Sequence, residues 1–256
     1  MNKTIGQHWV LLRGLARESG HWGEFVPQLQ NRFPKAKITL LDLPGTGRYY
    51  QQKSPYSITQ ITEQVRIAAS EQGLLEQPIT LLAVSLGAMV GWQWLNQYPK
   101  EICGAVLINT SLANLSPFYQ RMRWSSSLKL LALLLQSNLS KREQAIVKLV
   151  SNRQECYQTI TAQWTAIQSQ RPIHINNCLR QLLAAATYKP DYNIKPTQPI
   201  LLLNGLGDRL VSPQCSMAIQ KKWQIPLQSH PWAGHDLTLD DSQWVLEQLS
   251  HLLDSN

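Results

Sequence analysis

Apolar residues along the chain fall into short continuous runs separated by stretches of helical spacing. Trp9-Val10-Leu11-Leu12 is one such run and ends at Arg13-Gly14; a second, over 38–41, ends at Asp42-Leu43-Pro44-Gly45-Thr46-Gly47. Runs of this length closed by glycine turns predict buried strands. Between them Trp22, Phe25, Val26, Leu29 and Phe33 recur at helical spacing behind Ser19-Gly20 and predict a helix over 21–33. A strand, a helix and a strand in that order predict a parallel crossover. The pattern repeats with a helix over 57–72, a strand over 79–84, a helix over 86–97 and a strand over 104–108. Right-handed crossovers of this kind build a mostly parallel, doubly wound sheet of about six strands once the later runs are added.

The rhythm stops after Asn109. From 112 to 190 no strand-like run occurs, only helical patterns over 128–135, 140–150, 157–168 and 176–188. Ser140-Lys141-Arg142-Glu143 reads as a capping box, hydroxyl and carboxylate each satisfying an amide at a helix start. The α/β pattern resumes with a strand over 199–203, a helix opened by Ser212-Pro213, a strand over 227–230 and a last helix over 240–253. The expected organisation is an α/β core made of 1–111 and 191–256, interrupted by an all-helical cap over 112–190.

Composition narrows the class. A chain of 256 residues that is 43% hydrophobic suits one domain with a sizeable insertion. Cys103, Cys156, Cys178 and Cys215 are scattered and show no C-x-x-C spacing, as expected of reduced, buried thiols in a cytoplasmic protein. The polar stretch 1–7 leads straight into the first strand, so no signal peptide is expected. The longest dense apolar run, 130–135, is too short to span a bilayer.

The formal charge of +8 becomes informative once it is located. Arg121, Arg123, Lys129, Lys141, Arg142, Lys148, Arg153, Arg171, Arg180 and Lys189 face only Glu143 and Glu155 between 113 and 190, so this segment carries the whole excess. Such a surface attracts anions, among them an acidic carrier protein; the plainer reading is a solvated face. The cations form no nucleic-acid-binding module, and no nucleic-acid partner is expected.

Three residues carry chemistry. Ser85, in Leu81-Leu82-Ala83-Val84-Ser85-Leu86-Gly87-Ala88, stands between a strand and a helix with small residues two positions away on each side. A strained turn there pushes a serine oxygen outward while strand and helix pack closely beneath it. A serine that merely caps the helix explains the position too. Asp208 follows the strand over 199–203, where a turn aspartate is the ordinary reading. His235 lies in Ala233-Gly234-His235-Asp236 between the last strand and the last helix, where a surface histidine is common. All three fall at the carboxyl ends of predicted parallel strands, the rim where α/β proteins bind ligands, in the order serine, acid, histidine. A serine hydroxyl is a poor nucleophile until an imidazole takes its proton, and a carboxylate fixes the imidazole tautomer. The developing oxyanion needs two amides, assigned to the backbone of Leu15 and Leu86. No cofactor and no metal enters this chemistry.

These segments, from Trp9 to Trp22, the Asp42-Leu-Pro-Gly-x-Gly turn, Ser85, Asp208 and His235, resemble the α/β-hydrolase superfamily in its small capped esterase branch. The resemblance covers nearly the whole chain outside the insertion and implies that the insertion lies over the active site. Ala83 replaces the first glycine of the G-x-S-x-G pattern, and Arg13-Gly14 stands where members commonly carry His-Gly. The resemblance implies a serine hydrolase acting on a carboxylic ester or thioester. Joined to the basic insertion, it is similar to the methyl ester esterases that act on pimeloyl groups held by acyl carrier protein. A general carboxylesterase for small soluble esters and a non-hydrolytic ligand-binding protein are the alternatives. Met122 and Trp124, with Phe118 and Tyr119, are expected to line an acyl channel, and His21 and Trp22 to approach it from the loop after Gly14.

Overall fold

The computed structural model describes residues 5–123, 126, 132–133 and 136–254. Six strands, β1 (His8–Leu12), β2 (Lys37–Leu41), β3 (Ile79–Val84), β4 (Ile102–Ile108), β5 (Ile200–Gly205) and β6 (Leu227–His230), form one sheet in the order β2-β1-β3-β4-β5-β6. Every neighbouring pair is parallel. Because both faces are covered, the strands read as continuous apolar runs instead of alternating ones. Successive side chains still divide between two cores. Val10, Leu12, Leu81, Ala83, Ala105, Leu107, Ile200 and Leu202 enter one; Trp9, Leu11, Leu82, Val84, Val106, Ile108, Leu201 and Leu203 enter the other.

The first core is closed by α2 (Ile58–Glu71), α3 (Leu86–Gln97) and α8 (Gln214–Trp223), the second by α1 (Phe25–Arg32) and α10 (Ser242–Asp254), with the one-turn helix α9 (Leu237–Asp240) before the last. Each packs one stripe, such as Ile58, Ile61, Val65 and Ala69 of α2. Between β4 and β5 the described insertion is helical: α4 (Phe118–Arg121), α5 (Leu139–Val150), α6 (Tyr157–Gln170) and α7 (Ile175–Thr187). Of the helix expected over 128–135, all but 132 and 133 lies outside the described residues. No described helix is long and apolar enough to cross a membrane.

Three elements differ from expectation. The helix expected over 21–33 is a 3-10 turn, Ser19–Trp22, followed by α1, because Gly23 takes φ 47 between them. The helix expected from 140 begins a turn-step earlier: Asn138 caps α5 by accepting from the amide of Lys141, and Glu143 turns inward instead of closing a capping box. The last helix is in two pieces, since Asp241 leaves helical backbone and accepts from the amide of Trp244 to start α10. Of the cysteines, Cys103 and Cys215 are buried; Cys156 and Cys178 are only half-buried.

Strand order reverses between β1 and β3, so the loops after these two strands diverge and leave a crevice at their carboxyl ends. The close approach there depends on Gly87, where an added Cβ would stand 2.5 Å from the carbonyl oxygen of Arg13 and 2.7 Å from that of Leu12. Backbone cannot yield as a side-chain tip does. Gly87→Ala is therefore expected to lower stability by about 2–3 kcal/mol, read as a lower urea midpoint at unchanged slope.

Candidate active site

Ser85 occupies the turn from β3 into α3 with φ 56 and ψ −114, a left-handed conformation that a residue with a Cβ rarely adopts. Its amide donates to the carbonyl of Ile108 (2.8 Å), and its carbonyl accepts from the hydroxyl of Thr110 (3.2 Å), so the turn is clamped to the end of β4. The side chain makes no helix-capping bond. That disposes of the cap reading and leaves the hydroxyl uncommitted. Gly14 lies against it: a Cβ at that position would be 3.1 Å from Ser85 Cβ and 3.7 Å from Oγ. Among the described residues, the amides of Leu15 and Leu86, on either side of this contact, donate to no group.

Asp208 and His235 meet although they leave different strands. Nδ1 of His235 donates to Oδ2 of Asp208 at 2.7 Å, while Oδ1 accepts from the amides of Leu210 (2.7 Å) and Val211 (2.9 Å). The turn reading of Asp208 thus holds for one oxygen and leaves the other for the imidazole. A carboxylate can only accept, so Nδ1 carries the proton and Nε2 is left as a base. Asn109 holds the histidine loop, donating through Nδ2 to the carbonyls of His235 (2.7 Å) and Gly234 (3.2 Å) while Oδ1 accepts from the amide of Gly205 (3.0 Å). Ser85 and His235 line one cavity of about 110 Å³. They are not hydrogen-bonded to each other in this conformation, and such bonds often tighten only when substrate is present.

A family model described as alpha/beta hydrolase fold matches residues 8–242. The chain belongs to this family. No curated protein matches it. It is similar to the solved enol-lactonase from Burkholderia xenovorans LB400, at 14% identity and a TM-score of 0.78, with 99% of this chain and 94% of that one covered. It is also similar to a thermophilic esterase from Thermogutta terrifontis, at 17% identity and a TM-score of 0.73, covering 99% and 91%. A hydrolase from Pseudomonas aeruginosa PA01 aligns at 16% identity and a TM-score of 0.75, covering 99% and 91%. Likeness at these identities carries the fold alone.

In this member of the hydrolase fold, the insertion supplies one side of the cavity wall. Ile146, Leu149 and Val150 of α5 and Trp164 of α6 face Leu15, Ala16, Val84 and Leu210. His21, Trp22 and Met122 are not among the lining residues. Trp22 turns into the core against Phe25, with ring centroids 5.7 Å apart, and His21 packs edge-on to Trp164. Trp124 lies outside the described residues. His21 and Trp22 both stand buried in the 3-10 turn.

The core grips this insertion through buried polar groups. Arg17 donates to Glu143 of α5 (2.6 Å) and to Nε2 of His21 (2.9 Å), and stacks over Trp164. Gln181 of α7 accepts from the amide of Ala16 and donates to the carbonyl of Pro44. Asp240 accepts from the Ser151 hydroxyl (2.5 Å) and the amides of Asn152 and Gly234, although burial pushes its carboxyl upward against these donors. Arg17 and Glu143 are 126 positions apart, so no local pattern signals their pairing. Asn109 did leave a trace: it is the polar residue that ends the apolar run of β4.

Part of the insertion's positive charge is bonded to backbone carbonyls or to carboxylates. Arg121 donates to the carbonyls of Ala185 and Ala186, Arg123 to that of Asp208, and Arg180 to that of Ser54. Arg171 pairs with Glu18, and Arg153 with Glu155. Among the described residues, Arg123, Lys141, Lys148, Arg153 and Lys189 are exposed. The basic surface expected from the count is therefore smaller, because guanidinium groups close backbone ends that water would otherwise satisfy.

Burial holds His21 well below its ordinary value, and the charges of Arg17, Arg13 and Arg171 lower it further. Since Arg17 can only donate, Nε2 must accept, and a proton there would face a guanidinium. Below about pH 6.5 the unfolded chain binds a proton that the folded protein refuses. The contribution is thus whole above that pH and is lost as pH falls towards the folded value. The urea midpoint is expected to fall between about pH 7.5 and about pH 5.5, and to fall less in His21→Gln. Equal falls in the two proteins would remove the assignment, because His8 titrates alike in both.

Proposed function

We propose that the protein is a serine hydrolase that cleaves carboxylic esters through an acyl-enzyme intermediate, with Ser85 as nucleophile, His235 as general base and Asp208 orienting the imidazole. One observation carries the reading: a serine held in a left-handed turn shares a cavity with an imidazole whose other nitrogen is fixed by a buried carboxylate. In the proposed reaction the Ser85 oxygen bonds to the acyl carbon as its proton passes to Nε2 of His235. The negative charge that moves to the carbonyl oxygen meets the uncommitted amides of Leu15 and Leu86. Collapse breaks the ester bond, and His235 returns the proton to the departing alcohol. Water, deprotonated by the same imidazole, then releases the acid and restores the serine.

The acyl group we propose is short and apolar. An apolar cavity of roughly 150 Å³ takes up a benzene, so one of about 110 Å³ holds roughly four heavy atoms, and aliphatic side chains with Trp164 form most of its wall. A substrate presented by an acidic acyl carrier protein is the finer alternative, and the pairing of Arg153 with Glu155 and of Arg171 with Glu18 weighs against it. A free ester of a small alcohol fits better. A thioester of the same acyl group would meet the same chemistry.

Ser85→Ala and His235→Ala are each expected to abolish turnover of p-nitrophenyl acetate and butyrate, and Asp208→Asn to cost about three to four decades in kcat. Intact mass after a fluorophosphonate should show one adduct on the wild type and none on Ser85→Ala; an unlabelled wild type would leave only a binding role. Octanoyl esters should turn over more slowly than butyryl esters, with Trp164→Ala narrowing the difference. If glutamate at Arg142, Lys148 and Arg153 harmed a carrier-bound ester more than a free one, the carrier reading would replace this one.

A further inference from the structure

The charged pair beside the site is not used by the mechanism above. Arg13 directs both terminal nitrogens at Asp236, NH1 donating to Oδ1 (3.3 Å) and NH2 to Oδ2, with about 5% of either side chain exposed. The two ends are 223 positions apart, and each sits next to a proposed participant: Arg13 precedes the Gly14-Leu15 loop, and Asp236 follows His235. Both line the cavity. Neither end is free to drift. The Arg13 carbonyl is pressed against Gly87 and its guanidinium lies 4.8 Å from the Trp22 ring centroid. Asp236 accepts at Oδ1 from the Thr238 hydroxyl (2.8 Å), and its amide donates to the carbonyl of Val150 at the end of α5 (2.9 Å).

We propose that Arg13 and Asp236 are a positioning pair that ties the Leu15 amide to the His235 loop and cancels the net charge beside that imidazole. The proposal rests on the hydrolase reading. Other charges around the base are accounted for. Asp208 holds Nδ1 and has its own carbonyl covered by Arg123; Arg17 lines the same cavity but is matched by Glu143; His21 is bonded to Arg17; Asp240 sits under Gly234. The pair on either side of the oxyanion loop is thus the adjustable element. Burial alone would raise the Asp236 carboxyl, yet the Arg13 charge and the bonds from Arg13 and Thr238 hold it below the ordinary value, so the pair is ionised at neutral pH.

The test is the pH profile of kcat/KM for p-nitrophenyl butyrate in Arg13→Gln, Asp236→Asn and the double variant. Misplacing the loop is expected to lower kcat roughly ten- to hundredfold in each single variant, with KM changed less than about threefold. A positioning role through charge also moves the acidic limb in opposite directions. Arg13→Gln leaves a lone carboxylate that favours the imidazolium and raises the limb by roughly one pH unit, whereas Asp236→Asn leaves a lone cation and lowers it. The double variant returns it to the wild-type position. Asp236→Asn is isosteric and Arg13→Lys keeps the charge without the fork, so the comparison survives should Arg13→Gln fail to fold; Arg13→Lys should keep the limb and lose kcat. Folded single variants with the wild-type limb and kcat would overturn the proposal. A wild type that no fluorophosphonate labels would instead overturn the hydrolase reading, and the pair's role with it.

Discussion

The left-handed backbone at Ser85 is the constraint around which the rest of the site is arranged. A conformation of this kind costs about 1–3 kcal/mol for a residue with a Cβ, and it persists only where the surroundings leave no alternative. Here they leave none. The amide is bonded to the end of β4, the carbonyl is held by Thr110, and Gly87 in the first turn of α3 is pressed against the carbonyls of Leu12 and Arg13. The same contacts bring Gly14 against the serine. Strain at one residue and the crowding of β1 against α3 are therefore one feature seen from two sides.

A second level of order joins the insertion to this rim. Polar groups that would be costly to bury singly are matched across the boundary: Arg17 with Glu143, Gln181 with Ala16 and Pro44, Asp240 with Ser151 and Asn152. Removing one partner of a buried ion pair typically costs about 3–5 kcal/mol. The loops after β1, β5 and β6 and the end of α5 thus share bonds, and the insertion closes one side of a cavity otherwise walled by the core. In the proposed mechanism this gives the acyl group a fixed, dry surface beside the nucleophile.

The sheet was legible because its strands are buried on both faces and read as unbroken apolar runs; β3, α3 and β6 coincide with the spans expected, and the remaining strands begin or end within two residues of theirs. Helix boundaries were less legible where a single residue decides them, as Gly23 does through its backbone angle and Asn138 does by capping one step before the Ser140 signature. Asp208 and His235 stood out through chain order and strand ends. Trp22 did not follow the same logic: it has the composition of a pocket residue and the geometry of a core one, buried in a 3-10 turn against Phe25.

By itself the sequence determined the alternation of strands and helices, the break after Asn109, and the positions of a serine, a carboxylate and an imidazole at strand ends. Hydrophobic periodicity and turn chemistry are local, and they need no knowledge of what packs against what. Only the tertiary structure decided that the Ser85 hydroxyl does not cap its helix, that Asp208 divides its oxygens between a turn and the histidine, that Arg13 meets Asp236, and that Arg121 and Arg171 of the insertion bond to Ala186 and Glu18. The side-chain pairings among these join residues from 27 to 223 positions apart, where the spacing of residues carries no information about distance in space.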